Sequence, residues 1–329
     1  MPATRTTQLS RRAVAAVTIG FSLALATPLA ALAKPEPVIP VIVKDTTAQY
    51  WQIVIAGAKA AGKALHVRVP AEGAQSESDI AGQITVLENA VSQNPAAIVI
   101  APTQFTALGA PITQAASSVK IIGIDSPVKS DALTSFLSTD NVKAGKEAAD
   151  ALGAAVKAKT GADKGDVALI TALPGVGSLD QRASGFKDEL AAKFPDLKLV
   201  ASKVADGQPT TGLNITTDLL TSNPNLVGIY ASNLPMSQGA SEAVAENHPA
   251  KLSLICGDSD DKLVHLLKSG VVSALIVQNP YRMGYEGVKI ALEASEGKPV
   301  PKQIDTGVTV ITQANVNTPK AQALLNPKL

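Results

Sequence analysis

Ile121-Ile122-Gly123-Ile124-Asp125-Ser126 and Leu254-Ile255-Cys256-Gly257-Asp258-Ser259 follow one pattern, a short apolar run that delivers Asp-Ser at its carboxyl end. About one strand-plus-helix earlier in each half, Ile98-Val99-Ile100-Ala101-Pro102-Thr103 has a counterpart in Val227-Gly228-Ile229-Tyr230-Ala231-Ser232. Two matched pairs in the same order mark an internal repeat. The chain therefore reads as two lobes of one plan, with the break near Thr139-Asp140-Asn141.

Working outward, further β-rich apolar runs lie at Val38 to Val43, His66 to Val69, Val167 to Thr171, Leu197 to Val200 and Val272 to Val277. Between such runs stand Ala-rich segments of helical periodicity: Trp51 to Leu65, Ile80 to Gln93, Ala144 to Ala158, Gln181 to Lys193 and Tyr281 to Glu296. Strands that alternate with helices at this spacing form βαβ units, and near-continuous apolar strands fit parallel sheets covered on both faces. The expected fold class is α/β: two doubly wound, Rossmann-like lobes with parallel sheets and a ligand cleft between them. In such sheets ligands bind outside the carboxyl ends of the strands, where Lys44, Asp125, Asn233 and Asp258 all fall.

The N-terminus sets the compartment. Arg5, Arg11 and Arg12 precede the apolar run Ala13 to Ala26, and Ala31-Leu32-Ala33 follows as a small-residue cleavage site. That is the layout of a secretory signal peptide over residues 1–33, with the general secretory and twin-arginine routes both open. The run is too short to span a bilayer, which takes ~20 apolar residues, so no stable membrane insertion is expected. Removal of residues 1–33 changes the formal charge from +1 to −2, leaving 26 basic side chains against 28 acidic ones. No basic excess remains to attract nucleic acid. The single Cys256 cannot form an internal disulfide, and its apolar run places it in a buried strand.

A catalytic constellation is missing. His66, His248 and His265 are scattered without metal-ligand spacing, and no G-x-S-x-G elbow occurs, so neither a metal nor a cofactor is expected. Leu173-Pro174-Gly175-Val176-Gly177-Ser178 resembles a phosphate loop, but it lacks the Lys-Ser/Thr, and Asp180 would repel a pyrophosphate. It reads as a strand-to-helix turn lining the cleft. What the chain does carry is a set of planar polar groups: Asp125, Asp180 and Asp258 as acceptors, Asn233 and Gln278 as donors and acceptors. Vicinal hydroxyls suit such a set, since each hydroxyl donates to one group and accepts from another. Tyr50 and Trp51, in a chain with 3% aromatics, offer a flat surface for the C–H face of a sugar ring. Each residue also has a structural role open to it: helix N-caps for the three Asp residues, a hydrophobic staple for the aromatic pair, and ion pairing for Arg182. Lys44 reads as a cleft residue, because an unpaired ammonium is costly to bury.

With these residues in order, the chain resembles the periplasmic sugar-binding proteins of the ribose-binding type, which feed ABC transporters. The similarity runs from Val38 to Thr312 and rests on Asp125, Ser138-Thr139-Asp140-Asn141, Arg182-Ala183-Ser184-Gly185-Phe186, Ala231-Ser232-Asn233, Gly257-Asp258 and Val277-Gln278-Asn279-Pro280. The resemblance implies that Tyr50 and Trp51 stack on the sugar and that Asp125, Asn233, Asp258 and Gln278 bind its hydroxyls. It also implies three crossings between lobes, so that 34–139 with 279–305 forms one lobe, 140–278 with 306–312 the other, and 313–329 a tail. Ser126 and Asp180 stand where ribose-type proteins carry Arg, Gly207 where they carry an aromatic, and Lys44 where they carry a small polar residue. The ligand is then expected to be another monosaccharide, a polyol or a sugar derivative, with Lys44, Ser126 and Asp180 among its contacts. The implied protein is a monomeric periplasmic receptor, not an enzyme, that hands its ligand to an inner-membrane ABC permease with its ATPase. An exported enzyme acting on a sugar or nucleotide, a chemosensory receptor and a lac-repressor-type regulator are the alternatives. The last needs an N-terminal helix-turn-helix, where this chain has a signal peptide.

Overall fold

The computed structural model describes residues 2–7 and 36–327. The chain divides into two units, Met1–Pro35 and Glu36–Leu329. In the first, residues 2–7 are irregular and exposed, and the apolar run and cleavage site expected there lie outside the described residues. Every element below belongs to the second unit.

In chain order the first lobe opens with β1 (Val41–Val43), α1 (Gln49–Leu65), β2 (Ala71–Gly73), α2 (Ile80–Ser92), β3 (Ala97–Ile100), α3 (Gly109–Ala115), β4 (Lys120–Ile124) and β5 (Ser135–Ser138). The second continues through α4 (Asn141–Thr160), β6 (Gly165–Ala172), α5 (Gly177–Lys193), β7 (Leu197–Ala205), α6 (Pro209–Ser222), β8 (Leu226–Ala231), α7 (Leu234–Asn247), β9 (Ser253–Gly257), α8 (Asp261–Ser269) and β10 (Ala274–Val277). Then follow α9 (Pro280–Ser295), β11 (Gln303–Asp305), β12 (Thr309–Ile311) and α10 (Pro319–Leu325).

One sheet has the order β11-β5-β4-β3-β1-β2 and the other β12-β10-β9-β8-β6-β7. All pairings are parallel except β10 with β12. The two orders are the same doubly wound plan, and the repeated sequence segments occupy equivalent places in it: β4 matches β9, and β3 matches β8. Since β11 closes the first sheet and β12 the second, the chain passes between the lobes after β5, after β10 and after β11.

Strand periodicity sorts the core. Val41, Val43, Val99, Ile122 and Ile124 face one side of the first sheet, whereas Ile42, Ile98, Ile100 and Ile121 face the other. The second sheet divides likewise, with Leu169, Tyr230 and Ile255 on one face and Ile170, Ile229, Leu254 and Cys256 on the other. Cys256 is thus buried strand packing, as its apolar run implies, and burial pushes its thiol well up.

Some boundaries differ from the sequence expectation. The run His66 to Val69 is not β2. His66 ends α1 in a left-handed conformation (φ 54°), and Val67 N–H caps the helix by donating to Gly62 O. Only Arg68 bridges Val38, and the strand proper starts beyond Pro70. In the second lobe α4 and α5 pack backbone against backbone. A methyl group added at Gly145 would overlap Arg182 O, and one at Gly185 would overlap Val142 O. That contact seats the first turns of α5 against the lobe and fixes where Arg182 emerges.

Candidate functional site

Asp125 and Asp258 close β4 and β9 with matching backbones. Their φ values are 64° and 65°, a left-handed conformation that costs an Asp residue about 1 kcal/mol or more. Each N–H still joins the next strand, Asp125 N donating to Leu137 O and Asp258 N to Ile276 O, both at 2.9 Å. The turn therefore keeps the sheet bonded while aiming a carboxylate out of its carboxyl end. Two lobes with the same strained turn put two acids on one cleft.

Around Asp125 the first lobe gathers a cation and two hydroxyls. Lys44, just past β1, donates to Asp125 Oδ2 at 2.9 Å and to Ser126 Oγ at 2.7 Å. Tyr50 OH donates to Asp125 Oδ1 at 2.9 Å, and Ser126 Oγ lies 2.8 Å from Oδ2. Burial pushes the Asp125 carboxyl up, but Lys44, Arg182 and the Ser126 hydroxyl outweigh it and hold it below the usual range. The Tyr50 hydroxyl goes well up through burial and the nearby carboxylates Asp125 and Asp258.

Around Asp258 the second lobe does the equivalent. Gln278 Nε2 donates to Oδ1 at 2.8 Å, Leu234 N to Oδ2 at 3.2 Å, and Arg182 Nη1 stands 3.9 Å from Oδ2. Asp258 thus does cap a helix, but it is α7 from the neighbouring strand end; Asp260 caps α8. Arg182 is held by Asn141 Oδ1 at 2.8 Å and Ser232 O at 2.9 Å. Burial raises the Asp258 carboxyl despite Arg182 and Gln278.

The lobes meet here. Ser126 Oγ and Ser178 Oγ are 2.7 Å apart, and Phe105 N donates to Gly175 O at 2.8 Å. The turn after β6 does line the cleft. Lys44, Tyr50, Trp51, Asp125, Asn233, Asp258 and Gln278 enclose a cavity of about 40 Å³, with Arg182 and Ser178 completing the wall. That is room for about three waters, less than a sugar ring needs, so these side chains occupy one another's bonds and must yield to a ligand. Two acceptors are not so engaged: Asn233 Oδ1 and Gln278 Oε1 are buried with no partner among the described residues. Asn233 begins α7 without using its side chain as a cap, which leaves that oxygen available.

The aromatic pair divides. Tyr50 packs against the cores of both lobes, while Trp51 is 2% exposed and locked from three sides. Its indole N–H donates to Glu77 Oε1 at 2.5 Å, Lys44 Nζ sits 5.3 Å from its ring centroid, and Tyr50 meets it edge-on at 4.9 Å. One face of the Trp51 ring is thus covered by Lys44. Asp180 does not join the others. It is exposed in the first turn of α5, because Ser178 and Arg182 are four residues apart and share the cleft face, and Asp180 midway between them points away. Glu77, Arg182 and, as a side chain of the turn expected to line the cleft, Ser178 are additions to the contacts expected from sequence. Ser178 was legible as the i−4 neighbour of Arg182, whereas Glu77 lies in an irregular polar loop with no pattern.

The geometry defines a two-lobed receptor with a polar cleft at the carboxyl ends of both sheets. A family model described as a periplasmic binding protein domain matches residues 39–299, and the chain belongs to that family. This is a family of solute-binding proteins, not of enzymes. A carbohydrate transporter solute-binding protein from Agrobacterium radiobacter, solved in complex with D-arabinose, is 57% identical over 89% of this chain and 99% of that one, with a TM-score of 0.88. An ABC transporter solute-binding protein from Agrobacterium vitis with bound D-fucose is 36% identical over 88% and 99%, with a TM-score of 0.82. The D-allose-binding periplasmic protein of Escherichia coli is 29% identical, covering 79% of this chain and 86% of its own. Among the described residues no helix is long and apolar enough to cross a membrane.

Proposed function

We propose that this protein is the sugar receptor of an ABC importer and that it closes on a neutral monosaccharide, with D-arabinose the first candidate. The observation that carries the reading is the pair of buried, unpartnered acceptors, Asn233 Oδ1 and Gln278 Oε1. A buried acceptor without a donor costs about 1–3 kcal/mol, and a ligand rich in O–H groups relieves that cost. Charge supports neutrality. Lys44 and Arg182 are paired with Asp125 and Asp258, and Glu77, the third carboxyl of the lining, already accepts from the Trp51 indole, so a charged ligand meets no unengaged counter-charge in a desolvated site. The arabinose complex of a 57% identical relative supports the pentose.

Binding then works through differential contact. A sugar held by Asp125 from one lobe and Asp258 from the other makes its full set of bonds only when the lobes are together, which shifts the equilibrium toward the closed form. Lys44, Tyr50, Ser126, Arg182, Asn233 and Gln278 supply the remaining polar contacts, and Trp51 backs Lys44. The signal peptide directs export and is removed by cleavage after Ala33. The closed monomer presents its ligand to a membrane permease with its ATPase. Calorimetric titration of ligand-stripped protein with D-arabinose, D-ribose, D-fucose and xylitol, against D-glucosamine and D-gluconate, tests this. Saturable heat is expected from a neutral sugar alone; preference for a charged one, or silence throughout, refutes the reading.

A further inference from the structure

Tyr50, Asp258 and Gln278 line a second cavity as well as the first. This one measures about 220 Å³, more than five times the volume of the first site. Its far wall is the C-terminal segment, where Leu324 and Leu325 of α10 stand half-buried. Ala321 and Val316 anchor that segment in the core of the second lobe. Opposite stand Gln49 and Ile53 of α1, from the first lobe. The lining is amphipathic: Ile53 on one wall and Leu324 and Leu325 on the other give apolar surface, while Gln49, Ser259, Asp261 and Asn326 give hydrogen-bonding groups. Gln278, 3% exposed and with Oε1 unpartnered, stands at the boundary of both cavities.

We infer that this cavity is a second subsite, and that the protein takes glycosides: a monosaccharide in the first site whose anomeric oxygen carries a further ring into the space between α1 and α10. The inference rests on the sugar-receptor reading above. A cavity whose two walls each carry both polar and aliphatic side chains fits a ring that has hydroxyl or ether groups and an apolar face. Because its walls come from both lobes, an occupant adds contacts available only on closure, and so strengthens rather than obstructs the closed form. The C-terminal segment is then a determinant of specificity.

The test is a titration of wild type, Leu324→Trp and Gln49→Trp with D-arabinose and with both anomers of benzyl D-arabinopyranoside. Each Trp fills the cavity from a different lobe, and Gln49 is exposed, so one variant stays informative if the other fails to fold. Wild type should bind one benzyl anomer within about threefold of D-arabinose, and each Trp variant should weaken that glycoside at least tenfold while leaving D-arabinose within twofold. Binding of D-arabinose but of neither anomer overturns the subsite and leaves the receptor reading standing. Glycoside binding that both Trp variants leave unchanged also overturns it. Failure of D-arabinose and both glycosides overturns the receptor reading and the subsite with it.

Discussion

Replacing Lys44 with Met should destabilise the protein strongly at neutral pH and much less in acid. The pair it breaks spans 2.9 Å, with side chains 3% and 4% exposed. At an effective dielectric of ~20 the attraction at that distance is about 6 kcal/mol, and part of it is offset because the ammonium no longer has to be desolvated. Breaking a buried pair from one side leaves a net loss of about 3–5 kcal/mol. The pH dependence has a definite sign. In wild type the Asp125 carboxyl is depressed, so its contribution is present above the unfolded value of about 3.9 and is lost as pH falls through the folded one. Without Lys44, burial dominates and the folded carboxyl rises, so the variant carries a penalty at pH 7 that protonation relieves as pH falls toward 4. Urea unfolding followed by circular dichroism at pH 7 and pH 4 measures the gap. It should be about 3–5 kcal/mol at pH 7 and less than half that at pH 4. Lys44→Met with Asp125→Leu should recover much of the stability, because neither charge is then left alone. A gap below about 1 kcal/mol at pH 7, or an equal gap at both pH values, would mean that Lys44 does not hold a buried Asp125 carboxylate in its charged form.

Other expectations follow from particular contacts. Asp180→Ala, exposed and outside the cleft, should change sugar affinity less than twofold by calorimetry; a tenfold loss would put Asp180 back in the site. Gly185→Ala drives a methyl group into Val142 O and should cost about 1–3 kcal/mol in chemical unfolding, with sugar affinity lowered too because Arg182 is on the same turn of α5. Cys256, buried and with its thiol pushed up, should resist a thiol reagent in the native protein and react with one equivalent in denaturant.

The repeat was legible because Asp125 and Asp258 end apolar strands, and a buried parallel strand writes its composition almost without interruption. β3, β4, β8 and β9 were readable for that reason. β5, β11 and β12 were not. They are edge or near-edge strands of three or four residues, such as Gln303–Asp305, too short to display a period. The site was half legible. A strand end identifies where Asp125, Asn233, Asp258 and Gln278 emerge, since the sheet fixes their direction. Asp180 stands outside the cluster because a helix rotates 100° per residue, and a start at Gly177, not at Gln181, turns that carboxylate away. The role of Trp51 was also mixed in sequence: its burial fits a core residue, and its Lys44 and Glu77 contacts belong to the cleft. No local pattern specifies a contact between residues 26 or 81 positions apart.

In the proposed function one ligand is gripped by a carboxylate from each lobe. The sole Trp lies in that cleft, so its fluorescence reports the event directly. Titrating wild type, Asp125→Asn and Asp258→Asn with D-arabinose should give a saturable change in wild type. Affinity should fall at least tenfold in each variant, as expected for losing a charged hydrogen-bond acceptor worth about 1.5–3 kcal/mol. Wild-type affinity in either variant, with the fold intact, would contradict a grip shared by both lobes.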